Sequence, residues 1–297
     1  MSAGLPPGVL YATLAYAAWG VFPLYFRQLS AVPALEIVAH RTLWSLVFVL
    51  LVLLLRRQWG WLAQALRQPR MLAVSGLSAL LLSANWLLYV WAVNSGHVLD
   101  ASLGYFILPL INVALGYAVL GERPRRGQWL AVALAAAGVL WLTLQAGRLP
   151  WVGLAIALTF GGYGLLRKIA PLGALEGLVL ETALLAPLAL GLLAWWGWQG
   201  QAAWTALDWQ QGLWLLAAGP ITAVPLLLFA AGARLVPMAT LGLLQYLSPS
   251  LQFLLGVWLL GESVQPLRLL GFALIWAALV LFALEGAWQR RMAVWPG

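Results

Sequence analysis

The chain repeats itself after 140 residues, and the two copies must lie in opposite directions through whatever they cross. Arg27 and Ala34-Leu35-Glu36 recur as Arg167 and Ala174-Leu175-Glu176. Thr42 recurs as Thr182, Pro109 as Pro249, Gly116 as Gly256, and Leu120-Gly121-Glu122 as Leu260-Gly261-Glu262. Apolar stretches fill the intervals at 8–26, 33–55, 71–94, 99–120, 128–146, 151–168, 174–197, 211–233, 238–260 and 267–287. Each is long enough to cross, or nearly cross, a hydrocarbon layer of ~30 Å. Five crossings separate the copies, and an odd number inverts the second against the first. The expectation is an all-α integral membrane protein of ten helices, built as two inverted five-helix repeats at 1–148 and 149–297. The register slips by two residues where Ala101-Ser102-Leu103-Gly104 meets Ala239-Thr240-Leu241-Gly242, which a small insertion explains.

Composition leaves no room for a soluble domain. Residues are 64% hydrophobic and 8% charged, against roughly a quarter charged in soluble domains. The alternation of a membrane β-barrel is absent. No Lys or Arg precedes the first apolar stretch, so it reads as a retained helix and not as a cleaved leader. Without cysteine, disulfides, thiolate metal sites, Fe–S clusters and cysteine nucleophiles are excluded. No cofactor or metal site is expected.

The net charge of +8 suggests nucleic acid until its placement is considered. If the N-terminus is cytoplasmic, the inner loops hold Arg56, Arg57, Arg67, Arg70, Arg123, Arg125, Arg126, Arg167, Lys168, Arg234, Arg290 and Arg291. The outer loops hold only Arg27, Arg148 and Arg268. That asymmetry sets orientation against anionic lipid, with both termini cytoplasmic in a bacterial inner membrane. Nucleic acid is not an expected partner. Many Trp residues, such as Trp59, Trp129, Trp198 and Trp288, fall at span ends as an interfacial belt; Trp19, Trp86 and Trp91 lie deeper or beside polar residues. Between Arg56 and Arg70 the pattern predicts a short interfacial helix.

Several long motifs carry a family resemblance. They are Trp19-Gly20-Val21-Phe22-Pro23-Leu24-Tyr25-Phe26, Val32 to Arg41, Asn85-Trp86-Leu87-Leu88-Tyr89-Val90-Trp91-Ala92-Val93-Asn94, Ala101 to Phe106, Gly121-Glu122-Arg123 and Leu244-Gln245-Tyr246. Across almost its whole length the chain resembles the EamA group of the drug/metabolite transporter superfamily. One departure is that Leu108, where the family pattern has Asn, precedes Pro109. The resemblance implies ten inner-membrane helices in two inverted halves, cytoplasmic termini, and export of amino acids, metabolites or drugs without ATP.

Ionisable groups inside a span cost about 2.5–3.5 kcal/mol at its centre, so they are the first functional suspects. The second span holds Glu36, His40 and Arg41. Glu36 and His40 stand i, i+4 and are expected to pair, as an interfacial ion pair or within the pathway. His40 is a candidate proton group, with simple packing the alternative. Arg41 lies about two turns inside. Its 140-residue counterpart is Glu181, and the two are expected to face one cavity as substrate anchor and charge partner. Asn85, Trp86, Tyr89 and Asn94 form a polar-aromatic stripe, either interhelical hydrogen bonding or a cavity wall. Tyr105, Asn112, Tyr163, Gln245, Tyr246 and Gln252 extend the candidate lining. Pro109 and Pro249 are expected to interrupt their helices as hinges. His97 and Asp100 could cap a helix end or gate the outside. Gly121-Glu122 and Gly261-Glu262 read as structural turns whose Glu caps the following helix.

Inverted halves able to rock about a central site favour alternating-access transport of a small molecule, with protons a candidate coupling ion. A channel or uncoupled facilitator is the alternative, although no charge ring or filter motif is seen. An intramembrane enzyme is disfavoured, because no hydrolytic constellation appears. Monomer and homodimer both remain open.

Overall fold

The computed structural model describes residues 5–57, 59–95, 97–147, 149–259 and 266–294, and these are helical with no strand. In order the helices are α1 (Pro7–Gly20), α2 (Phe22–Gln28), α3 (Ala34–Arg56), α4 (Gly60–Arg67), α5 (Pro69–Asn94), α6 (Val98–Leu120) and α7 (Arg126–Ala146). Then follow α8 (Trp151–Ile169), α9 (Ala174–Trp198), a 3₁₀ turn (Ala203–Ala206), α10 (Trp209–Leu235), α11 (Met238–Gln245), α12 (Leu247–Trp258) and α13 (Pro266–Val294). Proline opens α1, α5 and α13, where its missing N–H is not needed. Gly121 and Gly147 close α6 and α7 in the left-handed conformation. The expected interfacial segment is α4, whose Ala65 is its buried residue.

Among the described residues, nine segments are long and apolar enough to cross a membrane, α1 and α2 counting as one. The tenth expected span, 238–260, is divided into α11 and α12 at Tyr246. Pro249 accounts for the break: it returns no N–H to the Gln245 carbonyl four residues earlier, and its ring crowds that carbonyl. Pro109 behaves differently from expectation, since α6 runs through it unbroken. Two close approaches clamp α6 there. Gly104 lies against the Gly153 backbone of α8, and Gly242 of α11 against the Pro109 carbonyl. Gly261 and Glu262 lie outside the described residues.

Small residues bring the helices together. Ala12, Ala15, Ala131, Ala135, Ala218, Ala223, Ala233 and Ala278 are fully buried, as close packing without a hydrophobic drive requires. Leu55, Leu80, Leu144, Leu188 and Leu284 instead point outward, where lipid would receive them. The packing pairs are matched. α1 packs on α10 and α8 on α5; α3 packs on α10 and α9 on α5; α6 packs on α8 and α12 on α1. α3 faces α9, α6 faces α11, and α7 faces α13. Each contact exchanges with its partner, or maps onto itself, when the numbering shifts by 140.

Candidate functional site

Between these helices lies a cavity of about 420 Å³, walled by α1, α2, α3, α5, α6, α8, α10, α11 and α12, which extends to the α2–α3 turn at Leu29 and Ser30. Its lining is mainly aromatic and aliphatic. Arg41 is the one charged residue in it among the described residues. The Arg41 side chain is 7% exposed, and its guanidinium carbon sits 3.6 Å from the Trp86 ring centroid. Such a desolvated cation–π contact contributes about 2 kcal/mol. A ladder of edge-on rings continues from Trp86 to Tyr89 (6.0 Å) and from Tyr89 to Tyr105 (6.1 Å). The α5 stripe therefore faces the cavity. Asn85 also lines it, while its amide donates to Ile156 O at 2.9 Å and Thr159 Oγ1 at 3.2 Å, tying α5 to α8.

Of the residues singled out from sequence, Arg41, Asn85, Trp86, Tyr89, Tyr105, Gln245 and Gln252 come together on this cavity. Others stand behind it. Asn112 donates to Gln245 Oε1 at 3.0 Å and so positions that side chain. The Tyr246 hydroxyl donates to Phe106 O at 3.1 Å. Tyr163 stacks on Phe229. Pro249 lines the cavity and Pro109 does not. The Asn94 and Asp100 side chains are outside what is described, which leaves the His97–Asp100 cap there too. His97 itself stacks on Trp91 at 5.1 Å.

Three pairings require correction. Glu36 does not pair with His40: both of its oxygens accept from the backbone of the 3₁₀ turn, from Ala203 N at 3.1 Å and Trp204 N at 2.8 Å. His40 instead meets the Trp204 ring. Glu181 does not pair with Arg41, because Arg167 reaches it first. Arg167 Nη1 lies 3.2 Å from Glu181 Oε1 with both side chains buried, and Ser78 Oγ donates to the same oxygen at 2.7 Å. Tyr163 reaches the other oxygen at 3.4 Å. Gly177 makes the pair possible, since any Cβ there would collide with the Arg167 guanidinium. Glu122 caps a distant helix and not its neighbour: Oε2 accepts from Met238 N at the start of α11 at 2.6 Å.

Sequence reasoning placed Arg167 and Lys168 in a loop, yet both are structural. Lys168 Nζ lies 3.4 Å from Glu122 Oε1 and donates to Val236 O and Ala233 O. Arg234 donates to Ala170 O and Leu172 O at 2.8 and 2.7 Å. This polar layer joins the ends of α6, α8, α10 and α11 at the end of the bundle away from the α2–α3 turn. Between it and the cavity lies a plug of Tyr16, Trp19, Phe160, Tyr163 and Phe229 in mutual ring contact. Trp19 and Phe160 also line the cavity; Phe160 was missed because one aromatic in an apolar run gives no signal. A smaller crevice of about 90 Å³ adjoins Arg41 and Trp86 and is lined by Glu181 and by Leu185, Leu188 and Leu192 of α9.

Comparison with known proteins agrees with this architecture. The EamA-like transporter family matches residues 6–144. An uncharacterized transporter of Pseudomonas aeruginosa is 50% identical over 100% of this chain and 99% of its own length. Protein RarD of Streptomyces exfoliatus is 49% identical over 96% of this chain and 90% of its own. Protein RarD of Escherichia coli is 42% identical, with 96% of each covered. A solved crystal structure of a protein superposes with a TM-score of 0.70 at 21% identity, covering 94% of this chain and 98% of that one, which speaks to fold alone. With full-length relatives at this identity, the chain belongs to the EamA transporter family as a multi-pass membrane protein similar to RarD, and is not an enzyme.

Proposed function

We propose that the chain is a secondary transporter that exports small metabolites, amino-acid-like compounds or drugs by alternating access, with its termini in the cytoplasm. The observation that carries this reading is a cavity open toward one end of the bundle and sealed toward the other. The seal is made of the Lys168–Glu122 pair and the Arg234 bonds to the α8–α9 turn. The basic residues gather at the sealed end, so the positive-inside rule makes this an outward-facing state.

The halves 1–148 and 149–297 act as two mirrored bundles that rock about the cavity. Support comes from the exchangeable packing pairs and from matched local bonds. Thr42 Oγ1 donates to Val38 O, and Thr182 Oγ1 to Leu178 O, both pairs of positions shifted by 140. A sealed end counts against a channel, which needs a continuous path.

Reconstitution into liposomes with a metabolite and drug panel, with and without a pH gradient, tests the reading. Saturable counterflow is the expected result, and its acceleration by a pH gradient would establish proton coupling. Downhill flux at channel rates, without counterflow, would refute it.

A further inference from the structure

Arg41 presents an imbalance that the protein does not resolve internally. Guanidinium is protonated in any folded protein, and an uncompensated charge at this depth costs several kcal/mol. Arg41 Nε has no hydrogen-bond partner, and among the described residues neither a hydrogen bond nor an ion pair is made by its side chain. Its stacking on Trp86 offsets only part of the cost. The two carboxylates that could neutralise it are both engaged elsewhere. Glu181 is held by Arg167, Ser78 and Tyr163, and Glu36 by the 3₁₀ turn. Among the described residues Arg41 therefore faces the cavity as a buried cation without an ion-pair partner.

We propose that the missing charge arrives with the substrate, and that the transported class is a monoanion with an aromatic or otherwise apolar body. Its carboxylate or comparable acidic group sits on Arg41, and its body lies along Trp86, Tyr89 and Tyr105. A planar guanidinium receives a carboxylate through two parallel N–H···O bonds. Lining groups beyond Arg41 include Asn85, Thr222, Gln245 and Ser248, which are neutral. No carboxylate lines the cavity among the described residues, so the ammonium of a zwitterion or an amine would be buried without a counter-charge. That is a repulsive element against cations and a penalty against zwitterions. The assignment rests on the transport reading above and names its substrate class.

The test uses four probes that share one aromatic body: 3-phenylpropionate, its neutral amide, phenylalanine and 3-phenylpropylamine. Counterflow of each is measured in liposomes carrying the wild type, Arg41→Gln or Arg41→Lys, each confirmed monodisperse by size exclusion. Expected is fastest exchange of 3-phenylpropionate, a loss of at least about tenfold in Arg41→Gln, and partial recovery in Arg41→Lys. The slower exchange of the amide should change less than about twofold. If the amide, phenylalanine or amine exchanges faster than the acid, or Arg41→Gln slows acid and amide equally, the charge assignment is wrong while transport stands. If none of the four exchanges while a compound of the metabolite and drug panel does, the assignment fails and transport stands; if no compound of either set shows counterflow, the transport reading fails with it.

Discussion

The Tyr246 hydroxyl donates to the Phe106 carbonyl at 3.1 Å, and the two residues stand 140 positions apart, one full repeat. The bond therefore joins two positions related by the 140-residue shift. It ties the broken helix to the continuous one. Tyr246→Phe removes the donor while the helical N–H of Leu110 still serves that carbonyl, so the cost is that of one hydrogen bond, about 0.5–1.5 kcal/mol. A lowered midpoint of thermal aggregation in detergent is the expected result, and an unchanged midpoint would count against a structural tie.

Arg167 and Glu181 form a buried pair whose single disruption strands a charge in a low-dielectric interior. Arg167→Met or Glu181→Gln alone should each cost about 3–5 kcal/mol. The double variant should recover a large part of that, because neither charge remains. Folded yield and thermal midpoint across the four proteins would show the non-additivity; strict additivity would mean the two groups act independently.

Gly177 and Gly191 provide a controlled comparison on α9. A methyl at 177 meets the Arg167 guanidinium, whereas one at 191 meets nothing within 4 Å. Gly177→Ala should lower the thermal midpoint, and Gly191→Ala should leave it unchanged or slightly raised.

The Lys168–Glu122 layer makes an accessibility prediction that the cysteine-free sequence renders simple to read. Leu241 on α11 is fully buried above that layer. In a Leu241→Cys background, adding Lys168→Ala should speed labelling by a membrane-impermeant maleimide severalfold, from the side bearing the basic loops. Equal rates with and without Lys168→Ala would remove the layer's role as a seal.

Much of the architecture was legible because membrane physics writes it in long, unmistakable words. Apolar length located the spans, and the α4 segment followed from its mixed face. The cavity wall was legible where an unusual residue sits at depth, as with Arg41, Trp86 and Gln245. Charge pairing was not legible. The repeat register points Arg41 at Glu181, but Arg167 enters from the end of α8 through the gap that Gly177 leaves, a contact set by three-dimensional packing. The same limit hid the reach of Glu122 to α11, 116 residues away. Proline was half legible: residue type announces a lost N–H, yet α6 runs unbroken through Pro109 while the helix divides before Pro249.

That broken helix has a consequence for how such a site changes over evolutionary time. Pro249 leaves the Gln245 main-chain oxygen without its usual helical donor, beside the cavity wall. Replacing the side chain at 245 leaves that acceptor in place, because the backbone supplies it and a proline four residues away withholds its usual helical donor. Side chains around the cavity are then at liberty to diversify selectivity, while one fixed point of polarity persists beneath them.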